Sequence, residues 1–257
     1  MGANTRIEWT DFSWSPWIGC TKISEGCEHC YAAHGIVARN VGVEWGPGKP
    51  RCRTSQAYWR DPLRWNKQAE MNGVRYRVFP SQCDVFDLEV PTEWLGHFWQ
   101  LIADTPHLYW LLLTKRIDQA AAWFNSTIPR DSENYAIGVT AENQKRWDER
   151  VPTLLQIPVA RRFVSVEPML GPIDMLQRYP TREELACGVH LAQLHQVIFG
   201  GESGPHARPC NVDWIRDGVV QCRAAGVPVF VKQDSGRYPG QQGRIPDDLW
   251  TVKDLMP

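Results

Sequence analysis

No apolar run in the 257-residue chain approaches the roughly 20 residues needed to cross a bilayer. The longest is Leu108-Tyr-Trp-Leu-Leu-Leu113. The first residues, Met1-Gly-Ala-Asn-Thr-Arg-Ile-Glu8, lack the apolar segment of a signal peptide. There is no internal repeat, no low-complexity tract and no long flexible linker. Charge of one sign is also missing overall, since the formal net charge is −1. These absences exclude a membrane-spanning chain, a collagen, a coiled coil and a disordered segment. With 43% hydrophobic and 22% charged residues, the chain has the apolar content for a sizeable core. The expectation is a soluble, intracellular protein in which the 8 cysteines serve as thiols or metal ligands rather than disulfides.

What is present is a recurring alternation. Short apolar, β-branched runs predict strands at 77–81, 108–113, 135–139, 162–166, 196–199 and 227–231. Helical patterns fall near 92–103, 116–124, 142–155, 172–178 and 211–225, with a further helix or insertion at 182–194. Pro91-Thr92-Glu93 and Asn211-Val-Asp-Trp214 read as helix starts, and Gly226-Val-Pro228 as a stop. Strand–helix alternation implies parallel β structure with helical crossovers, an α/β fold. Six or more such units favour a full or partial (β/α) barrel over an open doubly wound sheet. In either case ligands gather at the carboxyl ends of the strands. Those ends are polar here: Asp84-Val-Phe-Asp87, Thr114-Lys115-Arg116, Thr140-Ala-Glu142-Asn143, Glu167-Pro168, Gly200-Gly-Glu202-Ser203 and Lys232-Gln233-Asp234. Thr114, Thr140 and Ser203 are candidate helix caps. Glu167 ends an apolar strand and precedes a proline, which donates no hydrogen bond.

Near-neutrality hides an imbalance. Between Arg39 and Arg77 stand nine Lys or Arg against three acids, with Trp45, Tyr58, Trp59 and Trp65 interleaved. Cations pair with phosphates and aromatic faces stack on bases, so 39–77 is a candidate nucleic-acid-binding segment. A solvated helix face with its aromatics turned into the core accounts for the same residues equally well. The 13 tryptophans point to stacking or pocket walls as well as core.

Three cysteines fall within eleven residues, Cys20-x6-Cys27-x2-Cys30, and Gly19 and Gly26 each precede one of them. Three thiolates suit an iron–sulfur cluster whose fourth iron stays open. Together with His29 or His34 they also suit a tetrahedral zinc site. A redox Cys27-Glu-His-Cys30 pair leaves Cys20 unexplained. The trio precedes the clear β/α units, where the first strand–helix loop of a barrel falls, and this placement favours the cluster.

The run Ile7-Glu-Trp-Thr-Asp-Phe-Ser-Trp-Ser-Pro-Trp-Ile-Gly-Cys20, with Gly26-Cys-Glu-His-Cys-Tyr-Ala32, resembles the start of a phage-associated, radical-SAM-like family. That family was long catalogued as a phage protein of unknown function. The likeness continues through Asp61-Pro-Leu-Arg-Trp65, Ser81-Gln-Cys-Asp-Val-Phe-Asp87, Leu111-Leu-Leu-Thr-Lys-Arg116, Gly138-Val-Thr-Ala-Glu-Asn143, Ser165-Val-Glu-Pro-Met-Leu-Gly-Pro-Ile-Asp174, Gly200-Gly-Glu-Ser-Gly-Pro-His-Ala-Arg-Pro209 and Val231-Lys-Gln233, nearly the whole chain. The Cys-x6-Cys spacing departs from the Cys-x3-Cys of most radical SAM proteins. No Gly-Gly-Glu element stands near the second strand.

The resemblance implies a partial (β/α) barrel of the radical SAM type, with six or seven parallel strands in a single 1–257 domain and a tail at 236–257. It implies a 4Fe–4S cluster on Cys20, Cys27 and Cys30, with S-adenosyl-L-methionine cleaved there to a 5′-deoxyadenosyl radical. Some relatives resemble isomerases of thymidine hypermodification, which move a glycine on the thymine methyl carbon from nitrogen to α-carbon attachment. DNA or a nucleotide, flipped or single-stranded, is then the implied substrate. An external flavodoxin-like or ferredoxin-like reductant is the implied partner, and the cytoplasm (the host's, if the gene is phage-borne) the implied compartment. Candidate cofactor contacts are Tyr31, Thr114, Lys115, Glu142, Ser165 and Glu167. Candidate substrate contacts are Asp84, Arg116, Glu202, Ser203, Arg208, Lys232 and Gln233, with Lys115, Arg116, Arg208 and Lys232 as cations for a carboxylate. Tyr31 and Trp17 are candidates to shield the cluster. Ordinary loop ion pairs and core packing explain the same side chains. Two other functions stay open: radical SAM chemistry on another nucleotide, RNA or peptide, and a non-catalytic, zinc-stabilised nucleic-acid-binding protein.

Overall fold

The computed structural model describes residue 5 and residues 7–126, 133–176 and 191–256. In chain order the elements begin with β1 (Phe12–Trp14), β2 (Trp17–Ile18), a 3-10 turn (Glu25–Cys27), α1 (Tyr31–His34), α2 (Ile36–Val41) and β3 (Cys52–Arg53). Then come α3 (Gln56–Trp59), α4 (Asp61–Asn72), β4 (Tyr76–Pro80), α5 (Thr92–Ala103), β5 (Leu108–Thr114), α6 (Ile117–Ser126) and β6 (Tyr135–Thr140). The chain continues with α7 (Gln144–Gln156), β7 (Arg162–Val166), β8 (Gln196–Gly200), α8 (Val212–Ala224), β9 (Val229–Gln233) and α9 (Asp247–Trp250).

Seven strands are hydrogen-bonded in the order β1-β4-β5-β6-β7-β8-β9, while β2 and β3 form a separate antiparallel pair. The β1–β4, β4–β5, β7–β8 and β8–β9 ladders are parallel. Helices alternating with parallel strands in consecutive order make this a mixed α/β fold of the partial (β/α) barrel kind, as expected. Each of the six expected strands is present. The helix expected over 172–178 does not form at 172–176. Residues 177 and 178, most of 182–194 and Cys187 lie outside the described residues. The chain divides into two compact units, Met1–Ile137 and Gly138–Pro257.

The first unit is packed with aromatic rings. Trp14, Phe98 and Trp110 are fully buried. Trp110 meets Trp14 edge-on at 5.6 Å between centroids and Phe98 at 5.4 Å, a geometry that aligns ring edge with ring face. Trp17 joins them against Phe98 as part of the same core. Tyr58, Trp59 and Trp65 of 39–77 turn the same way. Trp65 on α4 stacks on Phe12 of β1 at 4.1 Å, and Tyr58 on α3 stacks on Trp14 at 5.6 Å. Helix α4 starts with Pro62 in its first turn and stops at Gly73. Its Arg64 and Lys67 are exposed, as are Arg39, Arg60 and Arg75 elsewhere in the segment. The solvated-face reading therefore holds for Tyr58 and Trp65, and neither ring is available to stack on a base.

In the second unit, β7, β8 and β9 run in register from Phe163↔Gln196 and Val197↔Val229. Helix α7 is capped by Asn143, whose side chain accepts from Arg146 N at 3.1 Å, and α8 by Asn211, which accepts from Asp213 N at 3.0 Å. Thr140 and Ser203, the expected caps, lie farther upstream; each asparagine is the residue adjoining its first turn. Thr114 does act locally, its hydroxyl accepting from Arg116 N at 2.8 Å. The tail is bound rather than loose. Val231 N donates to Val252 O, Asp254 N donates to Val229 O, and Ile245, Leu249 and Val252 are buried. It covers the outer strand β9, which otherwise presents unpaired backbone groups.

Candidate functional site

In the first unit the chain leaving β2 curls back over the carboxyl end of β4. Gly19 takes φ +115°, where an L side chain is strained, and a Cβ there would come within 3.0 Å of Arg51 Cδ. Gly19 N donates to Gln82 O at 3.2 Å, just past β4. Farther along, the Tyr31 hydroxyl donates to Ser81 O at 2.9 Å while its ring stays largely exposed. The segment between them carries Cys20, Cys27 and Cys30, all half-buried and none in a disulfide.

The thiols differ in environment. Burial and the neighbouring Asp84 carboxylate push Cys20 up to about 12, against the pull of Arg116. Burial also opposes ionisation of Cys27. The Lys115 charge and hydrogen bonds from the Ile23 and Ser24 backbone nevertheless bring that thiol below its ordinary value. Cys83, beside Asp84 in sequence, is driven well up by burial and by Asp84.

Around Cys20 lies a buried charge network. The Arg116 guanidinium donates through Nη1 to Asp84 Oδ2 at 3.0 Å and to Cys20 Sγ at 3.3 Å, and through Nη2 to Thr21 O at 2.6 Å. Asp84 is held further by the Thr114 hydroxyl at 2.7 Å, Phe86 N at 3.1 Å and Lys115 N at 3.2 Å. Asp87 accepts from Arg51 Nε at 2.8 Å, and Arg51 Nη2 also donates to the Thr21 hydroxyl at 2.6 Å. Two aspartates thus balance two guanidiniums, as burial of charge demands. Asp84, Thr114 and Arg116 are in contact as a group, but inside this network rather than presented to a ligand. Arg51 was missed as a site residue. In sequence it is one cation among nine, 36 positions from the Asp87 that binds it.

Among the described residues no group of three or more His, Cys, Asp or Glu stands placed to hold a metal ion. A mononuclear zinc needs its ligands within about 2.3 Å of one point, and Cys20, Cys27 and Cys30 with His29 or His34 do not form that set. For a 4Fe–4S group the three thiols, each binding a different iron, have the right donor chemistry on one short loop, without a preassembled ligand geometry.

The second unit carries its polar residues as pairs. Glu142, fully buried just past β6, accepts from Arg150 Nη1 at 2.9 Å, and the same nitrogen donates to Thr140 O at 2.7 Å. Ser165 is buried, its carbonyl accepting from Ala141 N at 3.0 Å. Glu167 Oε1 accepts from Lys232 Nζ at 2.7 Å. The absence of a side chain at Gly200 makes room for this pair, since a Cβ there would lie 2.7 Å from Glu167 Oε1. Glu202 holds Arg208 through both carboxylate oxygens, at 2.5 and 2.9 Å. Ser203 bridges to Gly236, and Gln233 spans Gly201 O at 2.8 Å and Gly240 N at 2.9 Å. Of these side chains, Glu167, Lys232, Ser203 and Arg208 are partly open to solvent, while Glu142, Ser165, Glu202 and Gln233 are buried.

Parallel strands whose carboxyl ends carry thiols in one unit and paired carboxylates in the other define a mixed α/β protein of the partial (β/α) barrel class. Within that class the chain belongs to the family described as "Protein of unknown function (DUF5131)", which it matches over residues 4–247. Comparison with curated proteins and with solved structures finds no match. Among the described residues no helix is long and apolar enough to cross a membrane.

Proposed function

We propose that the chain is a radical SAM enzyme acting on a modified thymidine in DNA, isomerising N-linked to C-linked glycyl-thymidine. The observation that carries the reading is the trio Cys20, Cys27 and Cys30: half-buried thiols, none in a disulfide, on one loop at the carboxyl ends of parallel strands. These three would hold a 4Fe–4S cluster. With S-adenosyl-L-methionine bound, that group supplies hydrogen-atom abstraction from carbon. The chain's own part is to hold and shelter. Lys115 favours the thiolate of Cys27, and the positive φ of Gly19 turns the chain into the loop that carries the thiols. Lys232 and Arg208 are partly open cations of the second unit. The exposed Arg60, Lys67 and Arg75 are suited to DNA phosphates.

The test is anaerobic reconstitution. The expected product is brown protein with about four irons that yields 5′-deoxyadenosine from S-adenosyl-L-methionine under reduction. Serine at Cys20, Cys27 or Cys30 should abolish both. With glycyl-thymidine DNA, the product should keep the substrate's mass and change its fragmentation. Colourless protein with a single zinc would overturn the reading. Full iron and nucleoside formation with altered substrate mass would move it to another radical SAM reaction. Replacing Arg60, Lys67 and Arg75 with alanine should weaken DNA binding. The slope of log affinity against log salt should flatten by about one for each phosphate that is no longer neutralised.

A further inference from the structure

We infer that Arg116 is a positioning residue that donates a hydrogen bond to the Cys20 sulfur and thereby raises the reduction potential of the group that Cys20 ligates. The inference rests on the reading of Cys20 as a cluster ligand and adds a control element to it.

The geometry is specific. Arg116 Nη1 lies 3.3 Å from Cys20 Sγ, and the rest of the fork is occupied on both sides, by Asp84 at 3.0 Å and Thr21 O at 2.6 Å. Three further donors fix Asp84, so the guanidinium plane is set before any cofactor arrives. A planar fork can hold a carboxylate, a carbonyl and a sulfur at once; a lysine ammonium cannot match those directions. Cys27, by contrast, has the Lys115 charge nearby, backbone hydrogen bonds at Ile23 and Ser24, and the Ser24 hydroxyl at 3.8 Å. Within the trio, Cys20 thus has a charged donor aimed at its sulfur. Donors to ligand sulfurs stabilise the electron-rich reduced state of an iron–sulfur group more than the oxidised one, and so raise its potential. A cation committed in this way is also withdrawn from the substrate-carboxylate role expected for Arg116.

Spectroelectrochemical titration of reconstituted protein, with dithionite as the one-electron reductant, tests the inference. Arg116→Met should move the midpoint to more negative potential by about tenfold in the reduction equilibrium, or 59 mV for one electron. Arg116→Lys keeps the charge beside Asp84 and guards against a variant that fails to fold. It should shift the midpoint in the same direction by less. A purely structural role would lower thermal stability and leave the midpoint in place. Folded, iron-loaded variants at the wild-type midpoint would overturn the inference while leaving the proposed function standing. A wild-type chain that takes up no iron, or whose iron survives Cys20→Ser, would overturn the function reading and this inference with it.

Discussion

In the first unit Arg51 and Arg116 each grip an aspartate and at the same time reach the cysteine loop at Thr21, so charge and loop are tied into one buried network. In the second unit the carboxylates are matched mainly one to one, Glu142 with Arg150, Glu167 with Lys232, Glu202 with Arg208 and Asp234 with Arg244. Exposure separates the extremes of the two sets. The Arg51 side chain is 0% exposed and its partner Asp87 2%, whereas Arg244 is 59% exposed over an Asp234 that is itself at 2%. Screening by water makes an open pair weak, and desolvation makes a buried pair costly to break. The first arrangement holds a loop in place. The second sets individual side chains at strand ends while leaving some of them, such as Lys232, partly reachable.

Three measurements would break or sharpen that contrast. The largest effect is expected from Asp87→Ala, which strands Arg51 without its closest counter-charge. Urea denaturation should show a loss of about 3 kcal/mol, and the double change Arg51→Met with Asp87→Leu should cost clearly less. Equal losses in the two variants would mean that the network is not a charge device. Next comes Gly200→Ala, which forces Glu167 away from its place against the backbone. A loss of about 1–3 kcal/mol is expected, and an unchanged melting curve would show that the Glu167–Lys232 pair yields freely. Smallest is Arg244→Ala, expected at about 1 kcal/mol, because the buried Asp234 loses the exposed guanidinium but keeps its bonds from Ser235 N and from the backbone N of residue 244. Its pH dependence has a definite sign. Burial raises the Asp234 carboxyl, but hydrogen bonds from Arg244 and from Ser235 N outweigh it and hold the group below its ordinary value. On acidification the unfolded chain takes up that proton first. The stability due to Asp234 is therefore present above pH about 4 and is lost as pH falls through the depressed native value. The difference between wild type and Asp234→Asn should shrink as pH falls below about 4; a constant gap would contradict this.

The strands, the helices expected at 92–103 and 211–225 and the alternating order were legible because apolar periodicity is a local signal. Helix α4 was not among the expected helices. Its surface is cationic, and its buried side, Trp65 and Ala69, is too sparse to announce a helix by periodicity. The tryptophans show the same limit. Their abundance suggested stacking surfaces, yet Trp14, Trp17, Trp65 and Trp110 are core. Composition counts rings without saying which way they face.

Residue order alone determined the α/β class, the clustering of three thiols in one loop and the polarity of the strand ends, since each follows from neighbours in sequence. The tertiary structure alone decided that Arg116 meets Cys20 across 96 residues and Asp84 across 32, that Arg51 meets Asp87 across 36, and that Glu142 is spent on Arg150. A buried charge must find its partner wherever the fold brings one, and that distance in space leaves no trace in the spacing of residues along the chain.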